Sequence, residues 1–344
     1  MANTNIPPPS PLSSFSLMEK MPAQGVTHQH WRVGSKINRQ KLIWRVPVTV
    51  PSGFRDSRQY LEYQQECYAA LLPSGHTPTL HTMVQPSVAW PHGGLLIQEI
   101  TGRIPSQFSD WQGIAACLAA IHQLPVNPLP PTIPAPENIW AIIGQTITKR
   151  FSSLDQISLS PIIKQQILEE IKWAQSFCVS APLNKYQPCF NLYDCHPANF
   201  LVDHWGKAWF VDLEKIIIGH PAIDLAHASL MTSLSWHPSL TALLSLDDIL
   251  HFHRFYFSNF PPSHYEGIQK LLLPVRRLIW IRTLSWAWDW LATISFSPDP
   301  AICIFQQAVQ QRLRMWFEAE VFIKMQQQLQ NHRLINGLAN LYII

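Results

Sequence analysis

The residues best suited to chemistry lie in Leu192-Tyr-Asp-Cys-His-Pro-Ala-Asn-Phe-Leu-Val-Asp203 and in Trp209-Phe-Val-Asp-Leu-Glu214. Their core is Asp194, then Asn199 five residues on, then Asp212 beyond a turn. Phosphoryl transfer asks little covalent chemistry of a protein. It needs one carboxylate to accept the acceptor hydroxyl's proton, and oxygen ligands for the Mg²⁺ on the phosphates. Mg²⁺ takes carboxylate, amide and water oxygens. Asp194 is the natural base, and Asn199 and Asp212 are the natural Mg²⁺ ligands. The five-residue step lets one loop put Asp194 and Asn199 into one cleft, and a hairpin can return Asp212 beside Asn199. A loop Asp more often caps or turns, and Asp203 taken alone is read that way. The further run Gly219-His-Pro-Ala-Ile-Asp-Leu-Ala226 makes the whole combination hard to assign to chance.

The elements that must position these groups fall into two lobes, an α+β arrangement. Residues 1–20, rich in Pro and Ser, read as a flexible lead-in. Trp31-Arg32-Val33 and Leu42 to Val48 are strand-like, with a turn at Gly34-Ser35-Lys36. A helix over Tyr60 to Leu72 stops at Pro73-Ser74-Gly75, and Gly94 to Ile100 is a further strand. This makes a small sheet-rich N-lobe over 21–101. A larger, mostly helical C-lobe spans 102–330, with a tail at 331–344. Its first helix, Asp110 to Gln123, carries Ile114, Ala115, Cys117, Leu118 and Ile121 along one side. Six prolines between Pro125 and Pro136 demand a loop. Helices follow at Ile139–Phe151 and Pro161–Cys178. Asn199–Asp203 and Lys207–Asp212 flank His204-Trp205-Gly206 as a hairpin. Beyond Pro221 the pattern is helical to about Gln330.

The segment resembles the aminoglycoside phosphotransferase and choline kinase superfamily, whose signature reads roughly H-G-D-x-H-P-x-N-h-L-x-D, h-D-[FWL]-E and G-x-P-x-x-D-L-A. Asp194, His196, Pro197, Asn199, Leu201, Asp203, Asp212, Glu214, Gly219, Pro221, Asp224, Leu225 and Ala226 stand in those places. The usual His-Gly is Leu192-Tyr193. The resemblance implies a protein-kinase-like fold that transfers the terminal phosphate of ATP, with Mg²⁺, to a hydroxyl of a small molecule. Gly25 to Val33 is similar to the turn that covers the nucleotide phosphates, which assigns Gly25 and Thr27 to the nucleotide, with His28 where the family has Asn. Arg45 takes the place of the cation that reaches the ATP phosphates, and a guanidinium suits phosphate oxygens. Its carboxylate partner is expected on the next helix, at Glu62 or Glu66. Leu95 to Gly102 is similar to the hinge strand, so backbone groups of Gln98 to Ile100 would meet the adenine edge. His122 is read as a structural histidine behind the catalytic loop, and Asp224 as an internal hydrogen-bond acceptor.

Two competing readings are a non-catalytic nucleotide-binding member, motivated by Leu192-Tyr193 and the absent phosphate-site Lys, and a protein kinase. The missing G-x-G-x-x-G loop argues against the second. On the acceptor side, Trp280, Trp286, Trp288, Trp290 and Asp289 offer an aromatic and acidic wall for a cationic substrate. Trp286, Trp288 and Trp290 cannot share one narrow helix face, so some belong to the core. Choline-like, thiamine-like and amino-sugar acceptors stay open.

Composition narrows the classes further. The 344 residues suffice for two lobes, and 47 % apolar against 14 % charged residues predicts a folded chain. A net charge of +3 without a basic block does not suit nucleic acid. Six cysteines without a C-x-x-C pair predict free thiols in a reducing cytoplasm, as does a start that is no secretory signal. Arg276, Arg277, Arg282 and Asp289 interrupt the most apolar stretch, Leu271 to Phe296, so no membrane span is expected.

Overall fold

The computed structural model describes residues 15–21, 27–35, 41–154, 159–181 and 188–341. The chain opens with β1 (Phe15–Lys20), β2 (His28–Ser35) and β3 (Lys41–Pro47), then α1 (Ser57–Leu71), β4 (Leu80–Val84) and β5 (Gly94–Gln98). The strands pair antiparallel in the order β1-β2-β3-β5-β4. Alternation along β3 explains how the sheet serves a site. Leu42, Trp44 and Val46 pack with Val33, Val84, Trp90 and Leu96 on one face. Ile43 points the other way, into the core shared with Tyr60, Leu61 and Tyr63 of α1. With a period of two, Arg45 shares the side of Ile43 and faces α1.

The remainder is mostly helical. α2 (Asp110–His122), α3 (Ile139–Arg150) and α4 (Pro161–Ser180) precede β6 (Cys189–Asn191), β7 (Phe200–Val202), β8 (Ala208–Phe210) and β9 (Ile217–Gly219). Then come α5 (Pro221–His227), α6 (Met231–Ser235), α7 (Leu246–Phe257), α8 (Pro262–Thr293), α9 (Pro300–Met315), α10 (Ala319–Leu329) and α11 (His332–Ala339). The β7–β8 hairpin turns at Gly206, with φ +82°, a conformation glycine adopts without a Cβ clash. Asp203 closes that turn by accepting from the Trp205 and Lys207 amides, the turn-forming role expected of it. α2 lies hard against the hairpin. A Cβ on Gly113 would come within 2.5 Å of the Gly206 carbonyl oxygen, so a side chain there would push the helix off. Backbone bonds between Arg103 and Val202, and from Phe210 to the His76 carbonyl, tie the hairpin to the sheet-bearing part.

Several sequence expectations are corrected. Phe15–Lys20, assigned to the flexible lead-in, pairs with β2 as an edge strand. α1 begins at Ser57, earlier than Tyr60, because Asp56 accepts a hydrogen bond from the Gln59 amide and caps it. Gly34 and Ser35 extend β2, and the rest of the expected turn lies outside the described residues. The tail expected from 331 contains α11, whose Leu334 and Leu338 are buried. β4 and the β6–β9 pair were not foreseen, since three to five residues carry too little periodicity to stand out. Among the described residues, no helix is long and apolar enough to cross a membrane.

Candidate active site

The loop after β6 makes a tight turn. The Asp194 amide donates to the Leu192 carbonyl at 2.7 Å, with Tyr193 between them at φ +60°. A side chain in this left-handed region costs on the order of 1 kcal/mol, which accounts for the glycine in the resembling motif. Here the turn is held from two sides. The Asp224 carboxylate, fully buried, accepts from the Leu192 amide at 2.7 Å, the Tyr193 amide at 3.0 Å and the Asn191 side chain at 3.2 Å. Arg282 donates to the Tyr193 carbonyl at 2.8 Å and lays its guanidinium 4.3 Å from the centre of the Tyr193 ring. His122 stands behind Asp224 at 3.2 Å, with its other nitrogen 2.9 Å from the Tyr256 hydroxyl. Leu192, where the motif has His, fills the core.

Main-chain carbonyl bonds bring the three oxygen-bearing residues together. Asn199 donates its amide to the Asp194 carbonyl at 2.9 Å, which turns its Oδ1 the other way. The Val211 amide donates to the Asn199 carbonyl at 3.0 Å, so the β7–β8 register sets Asp212 one residue beyond Asn199. Asp194 and Asp212 have similar exposure, 22 % and 23 % of the side chain, and Asn199 is likewise half-buried. All three therefore border solvent, and none is sealed in the core.

Charge around these residues is unbalanced. Arg45, buried, donates to Asp212 and to Gln64 Oε1 at 2.5 Å, and stands 3.6 Å from Glu214. Lys215 Nζ lies 2.5 Å from Asp194 Oδ2 and 3.7 Å from Glu214 Oε1. Tyr60 donates to Glu214 at 3.1 Å, and His28 Nδ1 stands 3.1 Å from it. Burial, helped by Arg45, keeps His28 neutral by pushing its pKa well below the usual value. Three carboxylates thus face two cations within ion-pair reach. Burial and the neighbouring Glu214 push the Asp212 carboxyl above the usual carboxylate range, despite Arg45. Burial acts the same way on Asp194, but Lys215, His196 and His227 outweigh it and hold that carboxyl well below the range.

This imbalance fits a divalent cation. Asn199 Oδ1 and the Asp212 carboxylate supply hard oxygen donors, the type Mg²⁺ takes, in a group of side chains where carboxylates outnumber cations. Two protein oxygens leave most of an octahedral shell to water and phosphate, the usual arrangement for Mg²⁺ on a nucleotide.

The other expected site residues divide. The carboxylate partners proposed for Arg45 do not meet it. Glu62 pairs with Arg58 at 3.0 Å on the exposed face, and Glu66 accepts from the Thr132 amide at 2.7 Å. The buried stripe of α1 runs through Tyr60, Tyr63, Gln64, Cys67 and Tyr68, so Gln64 faces Arg45 while positions 62 and 66 turn away. The partner on α1 is an amide, Gln64, and its place on the buried stripe marks it in the sequence. Gly25 lies outside the described residues. The Thr27 carbonyl accepts from Val48 at the edge of the sheet. The Gln98 and Glu99 amides donate to the Thr79 and Lys41 carbonyls, so the sheet uses them before Ile100. Of the tryptophans on α8, Trp280 and Trp288 are core, while Trp286 and Trp290 stay half-buried beside Asp289. Trp286 meets Trp236 edge-on at 5.5 Å, and Trp236 meets His196 at 4.8 Å. Lys215 was not singled out from sequence. Its signal was a lone cation directly after Asp212-Leu-Glu214 and before the apolar Ile216–Ile218.

A model of the phosphotransferase enzyme family matches residues 22–247, well over half of the chain. The chain belongs to this family. As a phosphotransferase of this kind it is an ATP-dependent enzyme that acts on an alcohol group, and it is of the aminoglycoside phosphotransferase and choline kinase type. In fold, the phosphotransferase is similar to Plasmodium vivax ethanolamine kinase, at 14 % identity over 91 % of this chain and 85 % of that one, with a TM-score of 0.57. It is similar too to the choline kinase of Cryptosporidium parvum, at 12 % identity over 96 % and 94 %, TM-score 0.56. A spectinomycin phosphotransferase in complex with ADP and spectinomycin aligns at 9 % identity over 92 % and 93 %, TM-score 0.58. No curated protein matches the sequence significantly.

Proposed function

We propose that the cleft between a small lobe over 21–101 and a large one over 102–330 is a small-molecule kinase site in which Asp194 is the base. Asn199 and Asp212 would hold Mg²⁺, which when bound neutralises and orients the phosphates. Arg45, close to Asp212 and Glu214, reaches the phosphates from the sheet side, with Thr27 above them. The Ile100 amide serves as hinge donor for the adenine, beside the Gln98 carbonyl. The observation that carries the reading is the convergence of Asp194, Asn199 and Asp212, fixed by the Asn199 bond to the Asp194 carbonyl and the Val211 bond to the Asn199 carbonyl.

The acceptor hydroxyl comes within hydrogen-bond reach of Asp194, which takes its proton as the oxygen attacks the γ-phosphorus. The charges around Asp194 hold it in the ionised form, the form that can take up a proton. Trp236 and Trp286, with Asp289 one turn further along α8, supply an aromatic wall with one acid, suited to a small hydroxylated acceptor that carries a cationic group. A chain of similar fold that binds ADP and spectinomycin is in keeping with a nucleotide and a small-molecule acceptor here. Buried free thiols suit a reducing, cytoplasmic setting. The test is a screen for Mg²⁺-dependent ADP release with choline, ethanolamine, thiamine, aminoglycosides, and neutral and acidic alcohols. Release with a cationic alcohol is expected. Release with none would remove the kinase reading, and release only with acidic alcohols would remove the aromatic wall from it.

A further inference from the structure

A cation in the cleft is left without a part by the roles above. The Lys215 ammonium lies 2.5 Å from Asp194 Oδ2 and 3.7 Å from Glu214 Oε1. Arg45 is fixed on the other side, against Gln64, Asp212 and Glu214, with 4 % of its side chain exposed. The Lys215 side chain is 47 % exposed, so unlike Arg45 it borders solvent, and among the described residues its ammonium is held by carboxylates alone. Its position bridges the carboxylate that would take the acceptor's proton and the acidic pair beside the metal. On the kinase reading, the phosphoryl group travels from the metal-binding side toward an acceptor at Asp194, and Lys215 reaches both.

We propose that Lys215 is a catalytic residue whose ammonium shifts from Asp194 onto the terminal phosphate of bound ATP and stays with that phosphoryl group during transfer. The proposal rests on the kinase reading of the cleft. In the step, the acceptor oxygen forms its bond to the γ-phosphorus as the bond from that phosphorus to the β,γ-bridging oxygen breaks. The electron pair of the broken bond leaves with ADP, and the hydroxyl proton passes to Asp194. Lys215 gains and loses no proton. It answers the negative charge spread over the three equatorial oxygens, which grows as the bond to the leaving oxygen breaks. Burial works against its charge, yet Asp194, Glu214 and Asp212 outweigh that and keep the ammonium protonated. Its shift also uncovers Asp194 Oδ2, while the Oδ1 edge, 3.9 Å from His196 Nε2, remains for the acceptor hydroxyl.

The rival account is a strut, in which Lys215 only holds Asp194 in place. Calorimetric titration separates the two, using the full chain with Mg²⁺ and either ADP or a non-hydrolysable ATP analogue. For Lys215→Met, the analogue should bind about tenfold to a hundredfold more weakly, the loss of one charge-assisted contact, while ADP affinity stays within about twofold. Lys215→Arg should keep the preference for the analogue, and in turnover Lys215→Met should lose more in kcat than in KM. Normal ADP binding by Lys215→Met also certifies its fold. The assignment is overturned if Lys215→Met weakens both nucleotides alike, or weakens neither and turns over normally. It is overturned as well if Lys215→Met binds neither nucleotide while Lys215→Arg binds both, the mark of a strut. If the unaltered chain binds neither nucleotide, the kinase reading fails and takes Lys215 with it.

Discussion

Asp224→Ala removes the buried carboxylate that fastens the turn leading into Asp194. The carboxylate is 0 % exposed and receives the Leu192 amide, the Tyr193 amide, the Asn191 side chain and, at 3.2 Å, His122. A methyl group in its place leaves these groups without water and without a partner. Each orphaned buried donor costs roughly 1–3 kcal/mol, so the two backbone amides alone account for about 2–6 kcal/mol. The side chains add to that, and the strained Tyr193 backbone loses its restraint. We expect a loss of about 4 kcal/mol or more, a large part of the 5–15 kcal/mol that roughly bounds domain stability. Asp224→Asn keeps one acceptor oxygen but turns an NH₂ toward donors, and should cost about half as much. Equilibrium unfolding in urea, followed by tryptophan fluorescence, measures both. A loss under about 1 kcal/mol for Asp224→Ala would refute the reasoning, because the turn would then be held by something else.

Further outcomes follow from the same geometry. Arg282→Met should lower turnover, since it removes the bond to the Tyr193 carbonyl and the ring contact, and Tyr193→Gly in that background should recover part of the loss, as kcat measurements would show. Arg45→Met leaves Asp212 and Glu214 without their buried cation and should cost on the order of 3–5 kcal/mol in unfolding experiments, with nucleotide affinity falling alongside. Burial holds the pKa of His220 at about 3 and that of His253 at about 4. Both stay neutral when folded and take up protons when unfolded near pH 6.5, so the unfolded state binds more protons as pH falls below that value. Stability should therefore fall from about pH 6.5 toward pH 4, by up to about 1.4 kcal/mol per unit for each histidine, and His253→Asn should flatten the slope in urea titrations at stepped pH.

Much of the site was legible because its residues are close in sequence. Asp194, Asn199 and Asp212 are joined by one loop and one hairpin, and the local rules for a five-residue step and a two-strand return were enough to bring them together. Contacts made across the fold were harder to see. The pairing of Arg45 with Gln64 depends on which face of α1 packs on β3, and chemical expectation favoured the carboxylates at 62 and 66 over the buried stripe. Lys215 was hidden because an exposed lysine after an acidic residue looks like surface, and only the fold brings it to Asp194. Tyr193 looked like a defect in the motif. Its tolerance comes from Asp224 and Arg282, which lie 31 and 89 residues further along the chain.

Metal binding and proton transfer can be separated in one experiment. Electron paramagnetic resonance of Mn²⁺ with ADP should detect a bound ion in the unaltered chain and in Asp194→Ala, with turnover lost only in the latter. Asn199→Ala and Asp212→Ala should each lose the bound ion. Ion binding that survives both of these substitutions, or that disappears with Asp194→Ala alone, would contradict the division of one base and two ligands on which the account stands.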